Sequence, residues 1–205
     1  VCAGWRQCVT SVVFLMIRRA PGSTLFPYTT LFRSAQAPRN VLKSLTARAG
    51  KDGMILMTGV EPEFHLINAD GSNISDARDF QEKPCYDQSA LMRRFDVISD
   101  ICTTMADLGW GPYQNDHEDA NGQFEINWDY TEALITADRH AFFKFMVKSI
   151  AENHALRATF MPKPFTNLSG NGCHVHISLW NSDRSTNLFA DETDEMGLSD
   201  RKSVV

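Results

Sequence analysis

An α+β domain, mostly antiparallel sheet with packed helices, is the fold class this sequence predicts. Three observations carry that expectation. Stretches whose side chains alternate with a period of two are mixed with stretches of period 3.6, without the strand–helix–strand rhythm of a doubly wound sheet. No GxGxxG or Walker sequence is present to open a nucleotide-binding fold of that kind. Apolar content of 43% with 22% charged residues fits a globular chain, and 205 residues suffice for one sizeable core or for a piece of a larger domain.

The amino-terminal end stands apart. Residues 1–50 carry seven basic side chains (Arg6, Arg18, Arg19, Arg33, Arg39, Lys43, Arg48) and no acid, while all 25 carboxylates follow from Asp52 onward. Within it, VVFLMIRRAPGSTLFPYTTLFRS (12–34) is broken by Pro21, Gly22 and Pro27 and sustains neither period. It closely resembles a peptide that arises when sequencing-adapter DNA is translated. Residues 1–34 are therefore read as a non-native extension without function, and 35–205 as the domain. The domain then holds 25 acidic and 16 basic residues, a formal net charge of −9. The net charge of −5 for the whole chain argues against a nucleic-acid surface, which would need a basic stripe.

Five cysteines (2, 8, 85, 102, 173) form no CxxC pair and are odd in number, which fits a reducing, cytoplasmic setting rather than a disulfide scaffold. The apolar run VVFLMI is too short to cross a bilayer, and no small-x-small cleavage site follows it. No membrane association is expected.

Taken in order, Pro38 opens a helix through VLKSLTARAG with a glycine stop and Val41, Leu42, Leu45 and Ala49 on one side. MILMTGVEPEFHLI (54–67) reads as extended chain, with clear alternation around EPEF: Glu61, Glu63 and His65 face one way, Phe64 and Leu66 the other. NADGSNISDARDF reads as a loop. Asp87 can cap a helix running to Leu108 with the stripe Leu91, Phe95, Ile98, Cys102 and Met105. NDHEDANG reads as turn, and QFEINWDY as a strand with Gln123, Glu125 and Asn127 on one face and Phe124, Ile126 and Trp128 on the other. A long helix is expected from about Thr131 to Ala155, with Leu134, Ala137, Ala141, Phe145 and Lys148 along one side. RATFMPKP is a strand ended by two prolines. A glycine-rich turn leads to CHVHISLW, where His174, His176, Ser178 and Trp180 share one face and Val175, Ile177 and Leu179 pack the core.

Chemistry gathers on the polar faces of these strands. Glu61 and Glu63 share a face of the first, Glu125 lies on the polar face of the second, and Glu118 sits beside His117 in the turn before it. Carboxylates about 4 Å apart repel by roughly 4 kcal/mol per pair at an effective dielectric of 20, so such a set needs protons or cations. Four glutamates and a histidine make a hard, oxygen-rich donor set, suited to Mg²⁺ or Mn²⁺ rather than structural zinc. Two ions would account for so many acids. Scattered exposed carboxylates that never meet are the alternative on spacing alone. A metallohydrolase is disfavoured because no HExxH occurs.

Five segments, in order, closely resemble the glutamine synthetase family: GVEPEFHLI, HEDANGQFEINWDY, TADRHAFFKFMVK, ATFMPKPF and GNGCHVHISLW. The wording of HEDANGQFE and KPCYD is most similar to the branch holding type III-like glutamine synthetases and glutamate–methylamine ligases. The resemblance implies a partial catalytic domain and an ATP-dependent ligase that forms the γ-amide of glutamate through γ-glutamyl phosphate. Ammonia is the first expectation for the acceptor, methylamine the second, and a non-catalytic regulatory homologue the third. It further implies that Glu63, Glu118 and Glu125 bind one Mg²⁺ or Mn²⁺ ion, and that Glu61 and His174 bind a second beside the ATP phosphates. His176 would lie against the transferring phosphoryl group, and Gly170 would hold glutamate through its backbone. Asn171 stands where serine is common. Family members form large homo-oligomers and continue well past the histidine strand, so this chain is read as truncated at its carboxyl end and inactive alone.

Overall fold

A computed structural model describes residues 34–200. The extension assigned to residues 1–34 lies, apart from Ser34, outside the described residues. The chain divides into two units, Val1–Val41 and Leu42–Val205. Helix α1 (Pro38–Lys51) crosses that division, runs one residue past the glycine expected to stop it, and buries none of its residues. Its apolar side therefore forms no part of the core.

Strand β1 (Met54–Asn68) is the spine of the second unit. It is followed by α2 (Gln88–Arg93), α3 (Phe95–Asp107), β2 (Pro112–His117), β3 (Gln123–Trp128), β4 (Thr131–Glu132), α4 (Ala133–Asn153), β5 (Leu156–Thr159) and β6 (Cys173–Asn181). The six strands form one sheet in which β1 pairs with β3, β4, β5 and β6, and β2 flanks β3. All five pairings are antiparallel, as the α+β reading expects.

Two registers position the acids. Glu63 lies opposite Glu125 across β1 and β3, and Glu61 lies opposite His174 across β1 and β6. Residues two apart on a strand share a face, so these pairings set four ligand-bearing side chains on one surface. The reverse face is the core. Phe64 packs against Phe124, Phe143 and Phe160 with ring centroids 5.5–6.3 Å apart, and Ile98, Ile101, Met105, Ile126 and Val147 complete the cluster.

Five sequence expectations need correction. The helix expected from Asp87 to Leu108 is two helices, broken at Arg94, whose φ of −121° leaves the helical region. The Arg94 guanidinium bonds the Ser75 hydroxyl and carbonyl, tying the break to the preceding loop. Phe95, expected in the stripe, is exposed, and Val97 and Ile101 take its place. Asp87 does cap the first piece, accepting from Ser89 N at 2.8 Å and Ala90 N at 3.3 Å.

The stripe on α4 is rotated from the expected one. Thr136, Phe143, Met146, Val147, Ile150 and Ala151 are buried, whereas Ala137, Ala141, Phe145 and Lys148 face outward. Apolar residues occur all round this helix, so composition alone does not mark its inner side. The start of NDHEDANG is not turn: Asn115–His117 belong to β2, a strand with a mixed pattern of exposure. Finally, Val175 and Ile177 are exposed on β6 rather than buried. Helices α3 and α4 pack against β1, β2 and β5, leaving that face of β6 bare.

Candidate functional site

The turn between β2 and β3 is built to hold Glu118 in place. Gly122 takes φ +70°, and a side chain there would meet Ile74 at 2.9 Å, so only glycine fits. Asp79, from the loop after β1, accepts from Gly122 N at 2.6 Å, Asn121 Nδ2 at 2.9 Å and His117 Nε2 at 2.7 Å. Burial pushes the Asp79 carboxyl up, but those three donors outweigh it and hold the group below its ordinary range. Glu118 N closes the turn by donating to Gln123 O at 2.9 Å.

Two groups of ligand atoms converge over this framework. Glu61, Glu125 and His174 each place one within 4.8 Å of the others, as do Asp116, Glu118 and Glu125. Glu125 belongs to both. Glu63 faces the same space with one oxygen already engaged: its Oε2 accepts from Gln123 Nε2 at 2.7 Å and Gly172 N at 2.9 Å. His176 does not enter either group but donates from Nε2 to Glu61 Oε1 at 2.8 Å. Gly170 lies beside the cluster, its carbonyl accepting from Gln123 Nε2 at 2.9 Å. A side chain at 170 would meet Pro162 O at 2.4 Å, so the turn closes only with glycine.

The acids feel one another. Burial, followed by the charges of Glu125, Glu63 and Asp116, pushes Glu118 up to about 7. Burial also raises Glu125, with Glu61, Glu63 and Asp116 adding to it and a bond from Asn127 Nδ2 (3.0 Å) opposing it. Carboxylates at 4.8 Å repel by roughly 3.5 kcal/mol per pair at an effective dielectric of 20. A divalent cation removes that repulsion. Carboxylate oxygens with one imidazole are the donors Mg²⁺ or Mn²⁺ takes, and neither group contains a thiolate. The residues therefore fit the ions expected from the sequence, with Asp116 an additional donor.

Beside the first group opens a cleft of about 400 Å³ whose lining includes Glu61, His176, Ser178, Tyr113 and Tyr130. Burial and then the charges of Glu61, Asp129 and Glu125 raise the Tyr113 phenol. The negative field thus reaches the cleft wall. Its size suits a small-molecule ligand.

Sequence reasoning missed several supporting side chains. Asp116 stands two residues before Glu118 in β2, a spacing that marks a shared face, but the segment's composition reads as turn. Asp79 lies in a loop with no periodic signal. Asn171 Oδ1 accepts from His65 Nδ1 at 2.8 Å and Gln123 Nε2 at 3.1 Å, while its Nδ2 donates to Met161 O at 2.9 Å. Burial drives the His65 imidazole down to about 4, against the bond to Asn171, so the ring is neutral at pH 7.

Comparison with known proteins gives a consistent picture. The sequence profile described as glutamine synthetase, catalytic domain, matches residues 35–203. A glutamine synthetase from Rhizobium meliloti (strain 1021) is 67% identical over 164 residues, which are 80% of this chain and 38% of that protein. A glutamate–methylamine ligase from Methyloversatilis universalis is 42% identical over 160 residues, 77% of this chain and 35% of its own length. A solved structure titled GmaS/ADP complex superimposes with a TM-score of 0.76 at 69% identity, covering 80% of this chain and 37% of that one. The chain thus spans under two fifths of the length of these relatives.

Proposed function

This chain belongs to the glutamine synthetase family, and on that premise we propose that the protein it comes from is an ATP-dependent ligase forming γ-amides of glutamate. The observation that carries the reading is Glu125, common to two groups of cation ligands beside a cleft of small-molecule size. Divalent ions bound there would neutralise phosphate and carboxylate charge and align the two for in-line transfer. The residues of this chain do the rest. Glu61, Glu118, Glu125 and His174 supply ligand atoms, with Glu63 offering its free Oε1. His176, oriented by Glu61, faces the phosphoryl group in transit. The turn at Gly170 presents backbone groups to the amino acid. The reaction joins glutamate γ-carboxylate to the ATP γ-phosphoryl group, giving γ-glutamyl phosphate and ADP; an amine then forms the amide and releases phosphate.

For the acceptor, two readings stand. Ammonia is the reading of the Rhizobium relative's name. Methylamine is favoured by the glutamate–methylamine ligase relative and by the GmaS structure at 69% identity, and it is the reading we adopt. The complete gene product, assayed with glutamate, ATP and either amine, tests it: kcat/KM higher for methylamine supports the choice, and higher for ammonia reverses it. Absence of ADP release with both amines overturns the ligase reading itself. We extend the proposal to residues 35–205 as part of the catalytic domain, and to a cytoplasmic homo-oligomer whose mass light scattering measures. Among the described residues no helix is long and apolar enough to cross a membrane.

A further inference from the structure

We infer that Gln123 is a positioning residue that ties the Glu63 carboxylate to the Gly170–Gly172 turn; this rests on the ligase reading, in which one end holds a cation and the other glutamate. Gln123 is fully buried, and both ends of its side-chain amide are engaged. Its Oε1 accepts from Ala120 N at 2.9 Å, anchoring the amide to the hairpin turn. With that end fixed, the Nε2 group points one way. It donates to Glu63 Oε2 at 2.7 Å, Gly170 O at 2.9 Å and Asn171 Oδ1 at 3.1 Å.

The same carboxylate oxygen receives Gly172 N at 2.9 Å, while Glu63 N donates to Gly172 O at 3.2 Å. Two N–H donors on Oε2 leave Oε1 as the oxygen available to a cation. Charge-assisted bonds of this kind are stronger than neutral ones and fix orientation as well as position. Partners behind a ligand typically change metal affinity 10–100-fold when removed. Gln123 lies two residues from Glu125 on the same strand face, yet belongs to neither of the two ligand groups. Its action passes through Glu63.

The consequence is a shared restraint. Seating a cation at Glu63 Oε1 steadies the carboxylate to which Gly172 is bonded, and seating an amino acid at the turn steadies the carboxylate. Without Gln123 the two ends lose a common anchor.

The test combines Mn²⁺ calorimetry with amide hydrogen exchange. Gln123→Met keeps length and removes both the donor and the oxygen that anchors it to Ala120 N. It should weaken Mn²⁺ binding about 10–100-fold, but change it less than about twofold in a Glu63→Gln background, where the positioned group is already altered. Gly172 exchange should rise by about tenfold or more in Gln123→Met while core amides of β3 stay protected. Unchanged Mn²⁺ affinity with unchanged Gly172 exchange overturns the inference, as does an equal loss in both backgrounds. If the unmutated chain binds no Mn²⁺, the cation reading fails, and Gly172 exchange alone decides the tether. Should Gln123→Met not fold, the unmutated chain still decides it. The Gln123 side-chain amide protons should exchange about tenfold slower than exposed ones, and Glu63→Ala should speed that exchange; unchanged exchange in Glu63→Ala overturns the tether.

Discussion

Glu61 and Glu63, two residues apart near the middle of β1, carry the same acid group into unlike surroundings. Toward its carboxyl end, Glu63 pairs with Glu125 on β3, a strand buried at every position. There each carboxylate is held by an amide from β3, Gln123 for Glu63 and Asn127 for Glu125. Toward the amino end, Glu61 faces β6, whose His174 and His176 are exposed and lie on a strand with Val175 and Ile177 uncovered. One side is braced, the other open. On the ligase reading, the braced side would fix where a cation sits, and the open side would leave room for what the cation must meet.

The largest expected break of that contrast is Phe64→Ala. Its ring lies beneath the braced end among Phe124, Phe143 and Phe160, and removal should cost about 3–5 kcal/mol in urea unfolding. A loss under about 1 kcal/mol would mean the braced end does not depend on that core.

Next come the ligands. Glu125 joins both groups, so Glu125→Gln should remove both cation seats, weakening Mn²⁺ binding on the order of 100-fold, about 2.7 kcal/mol. Glu61→Gln should remove only the seat shared with His174. Equal stoichiometry in the two variants, read by calorimetry, would erase the distinction between the ends.

A smaller effect follows from protons. Glu118 keeps its proton up to about 7 in the folded chain, against an ordinary value of 4.5. Between those values the folded state binds more protons than the unfolded one, so the cation-free chain loses stability as pH rises from about 4.5 to 7. Mn²⁺, which takes the ionised form, should reverse the slope. Melting curves at about pH 5 and about pH 7.5, with and without the ion, read both. A slope that ignores Mn²⁺ would detach Glu118 from the cation site.

Smallest of all, Ile177→Thr on the open strand should shift stability by less than about 0.5 kcal/mol, since the side chain is exposed. A larger loss in urea unfolding would show that β6 is covered in solution.

The same contrast explains what the sequence made legible. Around residues 61–66 of β1 and along β3 the period of two is unbroken, so the faces of Glu61, Glu63, Glu125, Phe64 and Phe124 follow from spacing. A strand covered on both faces also leaves little room for another assignment. On α4, by contrast, Phe142, Phe143 and Phe145 occur on different sides, and only the packing against β1 and β5 selects Phe143. The break at Arg94 depends on Ser75, nineteen residues earlier, a partner no local pattern marks. The supports of the site share that difficulty: Asn171 meets His65 across 106 positions and Gln123 across 48.

Because β1 is bonded to β6 along one stretch and to β3 along the next, a mistake in folding cannot stay local. Shifting its alignment by a single position would expose Phe64 and turn both glutamates inward at once. Chains that misassemble would thus be blind to Mn²⁺, which makes ion capture a direct gauge of how much of a preparation has reached its correct shape.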